Sequence, residues 1–260
     1  MEDRDYLQFI HKVRDYTSID LSQYKEAQMK RRLTTLRTKK GYSTFAAFFE
    51  AMTKDKELFY EFLDRMTINV SEFWRNPNRW EVLERRFLPE MLQRSKRLKC
   101  WSAACSTGEE PYTLAMILAE HGALASSTLI ASDIDEGALE KAKRAVYSDR
   151  SIRDVPALYL NKYYRQDNLT YSIVDSLKPH IRFQKQNLLT DPFESGFDLI
   201  VCRNVMIYFT EEAKHLLYGK FAQALKPGGI LFVGSTEQIF SPGQYGLEPA
   251  DTFFYRKQEA

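Results

Sequence analysis

The fold of this chain is decided by one stretch, Leu98-Lys-Cys-Trp-Ser-Ala-Ala-Cys-Ser-Thr-Gly-Glu-Glu-Pro-Tyr112. Its first half, Leu98 to Ala104, is a short apolar run that predicts a buried β-strand. Its end begins a helix predicted over Pro111 to His121, because proline is favoured in a first helical turn. Gly108 between them permits a tight turn and a close approach of a ligand to the backbone. Strand, turn and helix in this order form the first half of a β-α-β unit.

The same alternation continues along the chain. Further strands are predicted over Leu129 to Ser132, Ile181 to Gln184, Phe197 to Cys202 and Ile230 to Gly234, and further helices over Glu136 to Ala145 and Glu211 to Leu225, with a turn at Lys226 to Gly229. Repeated β-α-β units predict a parallel sheet covered by helices on both faces. Ligands of such sheets bind at the carboxyl ends of the strands, so the residues at these ends carry the functional argument.

Two regions depart from this alternation. Apolar residues recur every three or four positions over residues 1 to 75, which predicts an all-α N-terminal domain, followed by a linker to about residue 95. The α/β domain is predicted over residues 96–260. Within it, an insert at about 147–180 is too long for an ordinary loop, and the alternation in Leu169 to Val174 predicts a small antiparallel hairpin there.

Composition excludes several classes of protein. The 260 residues carry 37 Lys and Arg against 35 Asp and Glu, a net charge of +2, which argues against a general nucleic-acid binder. The apolar share of 44% is enough for a core and excludes disorder. No apolar run approaches the about 18 residues of a membrane span, and the acidic start is not a secretory signal. Three cysteines without a CxxC pair favour a reducing compartment. We expect a cytoplasmic monomer that needs no metal.

The loop after the first strand places two carboxylates, Glu109 and Glu110, at the start of a helix. A pyrophosphate would need bare backbone N–H groups here, and carboxylates repel it. They attract an amine or a sulfonium instead. For Glu109 we expect the simpler role of complementing the helix dipole. For Glu110 the dipole role and the cation-binding role both stay open.

The second strand ends at Asp133, about 25 residues after the Gly108 turn. A carboxylate at this place holds a ribose diol in nucleotide-binding folds of this type. Asp135 is expected to be a helix N-cap. The two strand ends together suggest a positively charged nucleoside without phosphates. S-adenosylmethionine (SAM) meets that description, and NAD does not.

The third and fourth strands are followed by Gln186-Asn187-Leu188-Leu189 and by Cys202-Arg-Asn-Val-Met-Ile-Tyr-Phe209. Asn187 and Asn204 can each bond adenine or the amino-acid end of the cofactor, and each can equally be a turn residue. Methyltransferases that act on the amino groups of DNA carry Asn/Asp-Pro-Pro-Tyr at the fourth position. The missing prolines here argue against an amine acceptor.

Taken together, these motifs resemble the CheR family of chemotaxis receptor methyltransferases. The segments that carry the resemblance are Asn69-Val-Ser-Glu-Phe-Trp-Arg75, Trp101 to Tyr112, Ser132-Asp-Ile-Asp135, Asn187-Leu-Leu189 and Cys202 to Phe209. The resemblance implies a helical N-terminal domain, a Rossmann-like SAM-dependent methyltransferase domain and a small β-subdomain insert. It also implies methyl transfer from SAM to glutamate side chains of chemoreceptors, with S-adenosylhomocysteine as the product.

The resemblance also implies site residues. The cofactor-binding positions are Asn69, Ser71, Arg75, Glu110, Asp133, Asn187, Leu188, Arg203 and Asn204, and the positions at the methyl-transfer centre are Arg75 and Tyr208. Ser71 stands where the family often has threonine, and both residues offer a hydroxyl. A glutamate acceptor, with a reference pKa of about 4.3, is already ionised near neutral pH and needs no general base. The sequence fits this expectation, because its four histidines are scattered and offer no candidate general base.

Three other functions are compatible with the sequence. A SAM-dependent O-methyltransferase that acts on a different carboxylate is the first alternative. A non-catalytic receptor-binding module that retains SAM is the second, and an NAD-linked oxidoreductase ranks last because of the carboxylates.

The segment Lys25 to Lys40 is strongly basic, with seven Lys and Arg and one acid. Such runs are usually solvated faces, but the resemblance favours docking on acidic receptor helices. Some family members also carry a Gly-rich loop that grips a peptide at the receptor's tail. Tyr164 to Tyr171 contains no glycine, so we expect that this chain does not require a tail tether.

Overall fold

The computed structural model describes residues 2–67 and 69–259, which form two compact units. One unit, called the helical unit below, comprises Met1–Asn69 and Met206–Leu216. The other, the sheet unit, comprises Val70–Val205 and Leu217–Ala260.

Four helices make up most of the helical unit: α1, Glu2–Thr17; α2, Glu26–Lys39; α3, Phe45–Met52; and α4, Lys56–Thr67. The apolar faces of α1, α3 and α4 meet at Phe9, whose ring centroid lies 5.0 Å from that of Phe45, 6.0 Å from that of Phe48 and 6.1 Å from that of Phe62. The apolar spacing of three and four residues therefore buries one stripe of each helix, as the sequence predicted.

A carboxylate from α1 caps α3. Asp5 accepts the backbone N–H groups of Phe45 at 2.6 Å and Ala46 at 3.1 Å, which have no partner within their own helix. The Thr44 hydroxyl accepts the N–H of Ala47 at 3.1 Å and completes the cap. The first turn of α3 is thus held both by its own sequence and by a residue 40 positions away.

The segment 206–216 returns to the helical unit and pairs with the chain before α2. The N–H of Lys25 donates to the carbonyl of Tyr208 at 2.9 Å, and the N–H of Thr210 donates to the carbonyl of Gln23 at 2.9 Å. The rings of Tyr24 and Phe209 pack with centroids 4.9 Å apart. Residues 208–210 are thereby held in place within the helical unit.

The sheet unit contains ten strands and the remaining helices. The strands are β1, Lys99–Ala103; β2, Thr128–Asp133; β3, Val146–Ser148; β4, Tyr164–Asp167; β5, Thr170–Ile173; β6, Ile181–Lys185; β7, Phe197–Cys202; β8, Leu225–Val233; β9, Leu247–Asp251; and β10, Phe254–Lys257. The helices are α5, Pro77–Val82; α6, Leu88–Arg94; α7, Glu109–Glu120; α8, Glu136–Arg144; α9, Ala157–Tyr163; and α10, Glu211–Ala224, which begins in the helical unit. A π-helical turn, Leu83–Phe87, joins α5 to α6.

Seven strands form the main sheet in the order β6-β2-β1-β7-β8-β10-β9. The five strands from β6 to β8 are parallel, and the predicted α/β class is confirmed. β10 runs antiparallel to β8, and β9 antiparallel to β10. These last two strands were not predicted from the sequence. The ring of Phe254 on β10 stacks on Phe232 of β8 at 4.3 Å and lies 4.7 Å from Phe87.

The prediction of a turn at Lys226 to Gly229 is wrong in one respect. These residues lie inside β8, where the register against β7 shifts between Phe197 and Leu199. Gly228, with φ of +74°, accommodates this irregularity because glycine has no Cβ. The chain thus bulges and continues as a strand.

The predicted β insert is present as a second sheet of three antiparallel strands in the order β3-β5-β4. β4 and β5 form the expected hairpin, and Asn168 at its tip has a positive φ of 52°. The Tyr147 hydroxyl donates to the carbonyl of Thr107 at 2.8 Å, which ties this small sheet to the loop after β1. The sequence boundaries given above for the domains stay predictions.

Two further observations concern residue chemistry. Cys100, Cys105 and Cys202 are buried free thiols, and burial raises the pKa of each. Across residues 2–67 and 69–259, we find no helix that combines the length and the apolar character needed to span a bilayer.

Candidate functional site

The main sheet has a topological switch point between β1 and β7. From β1 the chain moves outward to β2 and β6, and then returns to β7 and β8 on the other side. Ligands of open α/β sheets bind outside the carboxyl ends of the strands at this point. Because β1, β2, β6, β7 and β8 are parallel, the loops that follow them meet at one edge of the sheet. We call this the strand-tip edge.

The loop after β1 is strained. Ala104 and Ser106 have φ of +56° and +49°, which non-glycine residues seldom adopt, and Gly108 has φ of +96°. A Cβ at position 108 would lie 2.8 Å from the Cβ of Ala142, so α8 leaves room only for glycine. Such strain persists only where the surroundings over-determine the backbone, and it is concentrated at functional sites.

Asp133 is one of the groups that hold this loop. Its carboxylate is buried at the end of β2 and accepts the N–H of Ser106 at 2.8 Å and the N–H of Asp135 at 2.9 Å. Burial raises the pKa of Asp133 to about 6, against the opposing effect of these hydrogen bonds. Asp135 accepts the N–H groups of Gly137 and Ala138, so its predicted N-cap role is confirmed.

Glu110 lies in the first turn of α7, and its Oε1 accepts the Ser102 hydroxyl at 2.8 Å. Burial raises the pKa of Glu110 to about 7, although the nearby Arg203 guanidinium favours the charged form. A carboxylate with a raised pKa gains from an additional positive neighbour. The position is therefore suited to a cationic ligand.

Glu109 has a different role from Glu110. It is buried and accepts hydroxyl hydrogen bonds from Thr107, at 2.7 Å, and from Ser71. Burial raises its pKa. Its place in the first helical turn agrees with the dipole role expected from the sequence. The contact also shows that the Ser71 hydroxyl is already engaged within the protein.

Arg203 follows β7 and is buried with only 8% of its surface exposed. Its guanidinium lies 4.7 Å from the ring of Phe232 and 5.5 Å from that of Trp80. Its Nη2 donates to the carbonyl of Arg75 at 2.7 Å and to the side-chain oxygen of Asn76 at 2.8 Å. Arg203 therefore holds the backbone turn from which the Arg75 side chain extends.

This turn is strained as well, since Trp74 and Asn76 have φ of +51° and +61°. The Arg75 side chain between them is partly exposed, and its Nη1 lies 3.4 Å from the carbonyl of Val70. The Nε of Arg203 is buried and has no hydrogen-bond partner in the described part of the chain. Burial lowers the pKa of Arg203.

Glu237, which follows β8, was not predicted from the sequence as a site residue. Its buried carboxylate accepts the N–H of Asn204 at 2.6 Å and the N–H of Gly234 at 2.8 Å. It thereby fixes Asn204 at a φ of +61°. The sequence could have indicated it, because Glu237 stands three positions after Gly234, where the fifth predicted strand ends. The residues after that strand were not considered as site candidates.

The third strand end carries Asn187 and Leu188. The Asn187 side-chain oxygen accepts the N–H of Leu189 at 3.0 Å, and its own N–H donates to Asp191 at 2.8 Å. Asn187 therefore takes part in a turn, which was one of the two roles left open, and its cofactor-binding role stays a prediction. Leu188 is buried.

The remaining two predicted site residues, Asn69 and Tyr208, belong to the helical unit. The Asn69 amide donates to Asp64 at 3.2 Å. The Tyr208 ring lies 4.8 Å from the Arg32 guanidinium of α2. The sheet unit holds the other eight, and it brings Glu110, Asp133, Asn187, Leu188, Arg203 and Asn204 to the strand-tip edge.

The chemistry of this edge fits SAM. Two carboxylates with raised pKa values suit the cationic and diol-bearing parts of such a ligand, and would repel a pyrophosphate. Among residues 2–67 and 69–259 there is no cluster of three or more His, Cys, Asp or Glu side chains placed to hold a metal ion.

Comparison with known proteins agrees with this reading of the site. Residues 4–67 match the family model described as CheR methyltransferase, all-alpha domain, and residues 69–254 match CheR methyltransferase, SAM binding domain. A chemotaxis protein methyltransferase of Listeria monocytogenes is 44% identical over 256 residues, covering 98% of either chain. One from Borreliella burgdorferi is 34% identical over 254 residues, covering 92% of this chain and 89% of that one. This chain therefore belongs to the CheR family of SAM-binding methyltransferases.

Proposed function

We propose that this chain transfers a methyl group from SAM to glutamate side chains on the cytoplasmic helices of chemoreceptors, giving glutamate methyl esters. The observation that carries the proposal is the pair of carboxylates at the strand-tip edge, which suits a cationic nucleoside. The names of the relatives, chemotaxis protein methyltransferases at 44% and 34% identity, support the acceptor class.

The cofactor would be held at the strand-tip edge. Glu110 attracts its positive charge, Asp133 accepts from its ribose hydroxyls, and the loops after β6 and β7 supply further contacts. The complete proposed set is Asn69, Ser71, Arg75, Glu110, Asp133, Asn187, Leu188, Arg203 and Asn204. Bound SAM supplies a methyl group that its sulfonium has already activated.

The protein's part in catalysis is positioning and exclusion of water, since an ionised glutamate needs no general base. We assign orientation of the acceptor carboxylate to Arg75, whose planar fork can bind both oxygens. We assign a hydrogen bond to the same acceptor to Tyr208.

Docking of the receptor is assigned to the exposed cations of α2 and of the residues that flank it. Lys25, Arg31 and Lys39 are exposed. Arg37, in contrast, is buried, with its guanidinium 4.6 Å from the Phe45 ring and 3.9 Å from Asp5. The basic residues of this segment were expected to lie on a solvated or docking face, and that expectation is wrong for Arg37, which belongs to the core. The expectation that no receptor tail tether is required stays a prediction.

The proposal is tested by methyl transfer from labelled SAM to a purified receptor cytoplasmic fragment, followed by mild base. We expect the label to be released as methanol, because a carboxyl ester is base-labile. Base-stable label would mean a nitrogen, sulfur or carbon acceptor and would contradict the proposal. Label on another carboxylate but on no receptor would favour a different acceptor.

Replacing Arg75 by alanine should lower kcat by about 100-fold or more and raise the Kd for SAM far less. The backbone turn survives, because Arg203 binds the carbonyl of residue 75 and not its side chain. Stopped assays give kcat, and calorimetry gives the Kd. Arg85→Ala, at an exposed position, is the control. An equal loss of turnover and SAM affinity would disprove the assigned role.

The affinity for SAM should fall as the pH drops below about 7. The pKa of Glu110 lies above its ordinary value, so its carboxyl takes up a proton near pH 7 and loses the charge that attracts the cation. We expect a loss of about tenfold in affinity per pH unit below this pKa. Calorimetry at pH 8 and pH 6 measures it. Glu110→Gln should bind weakly and lose the pH dependence centred near pH 7, keeping only the part near pH 6 that Asp133 contributes. A wild-type profile in this variant would contradict the assignment.

Charge reversal at Arg31 should raise the KM for the receptor fragment and leave the Kd for SAM unchanged. We expect an increase of about tenfold at low salt that shrinks at high salt, because the attraction is between exposed charges. Lys143→Glu makes the same change in charge on α8 and serves as the control. If KM does not move, α2 presents only a solvated face.

A further inference from the structure

Lys220 on α10 reaches the loop that follows β6. Its ammonium donates to the backbone carbonyls of Leu188 at 2.6 Å, Asp191 at 2.8 Å and, more weakly, Leu189 at 3.4 Å. An ammonium has three N–H donors and no acceptor, so these three carbonyls use its full capacity. The Nζ also lies 4.1 Å from the centroid of the Phe193 ring. The cation is thus held by four groups of one short segment.

The environment of this ammonium is partly buried. Burial lowers the pKa of Lys220, and the Asp191 carboxylate opposes that effect. The partial charges of three carbonyls and the face of an aromatic ring offset the loss of water around the cation. A cation in these surroundings fixes the positions of the groups that solvate it.

The loop that Lys220 fixes has a defined internal structure. The N–H of Asp191 donates to the carbonyl of Asn187 at 2.9 Å, and the N–H of Asn187 donates back to the Asp191 carboxylate at 2.8 Å. These bonds close the loop at its base. Lys220 supplies a hydrogen-bond donor to the carbonyls of Leu188 and Leu189, which lie between the two ends of the loop.

We propose that Lys220 is a positioning residue for the cofactor: by binding three carbonyls of the loop 187–191 it sets the geometry in which Asn187 and Leu188 meet SAM. Lys220 acts through the loop and does not touch the cofactor. The inference rests on the proposed cofactor-binding roles of Asn187 and Leu188.

The sheet unit offers a matched lysine for comparison. The ammonium of Lys226 binds both carboxylate oxygens of Asp198 at 2.9 and 2.8 Å. Asp198 lies at the start of β7, so this contact is at the opposite edge of the sheet from the strand tips. Loss of either lysine removes a comparable charge-assisted contact, but only Lys220 contacts the cofactor loop.

The test is calorimetric Kd for SAM in the full chain for five proteins: wild type, Lys220→Met, Lys226→Met, Asn187→Ala and the Lys220→Met/Asn187→Ala double variant. We expect Lys220→Met to raise the Kd about tenfold, with the KM for the receptor fragment and kcat at saturating SAM little changed. Lys226→Met should lower the melting temperature without changing the Kd. The Kd of the double variant for SAM should be little higher than that of whichever single variant binds SAM less tightly, because both changes act on one loop.

Two results would overturn the inference. One is an unchanged Kd in Lys220→Met while Asn187→Ala weakens binding. The other is a double variant in which the two losses multiply, which would mean that the residues act independently. If Lys220→Met does not fold, Lys220→Gln, which keeps a donor without the charge, is compared with wild type by the same criteria.

Failure of the proposed function would look different. An unchanged Kd in Asn187→Ala would remove the assigned role of Asn187, whatever Lys220 does. Failure of receptor methylation would leave every Kd in this series measurable.

Discussion

The arrangement of the residues at the strand-tip edge depends on the buried guanidinium of Arg203 and its contacts. Its Nη2 fixes the strained turn at residues 74–76, its face packs beside Trp80 and Phe232, and its charge offsets the carboxylates of Glu110 and Glu237. A buried charge is tolerated only with such partners, and removing one member leaves the others uncompensated. The order of this edge is therefore collective. It comes from four segments that are far apart in the chain.

The two neighbouring glutamates at the start of α7 have different surroundings and different roles. Glu109 is enclosed by the hydroxyls of Thr107 and Ser71, and its role is to organise the loop. Glu110, one residue on, accepts a single serine hydroxyl and keeps a pKa near 7. A helix turns by about 100° per residue, so adjacent side chains point in different directions and meet different surroundings. One carboxylate can thus serve the fold while the next remains suited to the proposed ligand.

The arginines of the basic helix α2 likewise have different surroundings although they are close in sequence. Arg31 is exposed, Arg32 packs on the Tyr208 ring, and Arg37 lies in the core against Phe45. A count of positive charges treats the three alike. Their separation into a docking candidate, a support for Tyr208 and a core residue depends on which face of the helix each occupies and on what packs there.

The sequence by itself determined the α/β class, the helical N-terminal region, the β insert and the carboxyl ends of four parallel strands. These follow from local patterns, namely apolar period, turn residues and the order of strands and helices, which a chain carries without any long-range contact. It also led to Asp133 and Glu110, because position after a strand is readable from the same patterns. Only the tertiary structure decided the places of β9 and β10, the support of Asn204 by Glu237, the burial of Arg37 and the contact of Lys220 with the loop after β6. Each of these depends on pairs of residues distant in sequence whose approach is set by packing, and no local pattern specifies such a pair.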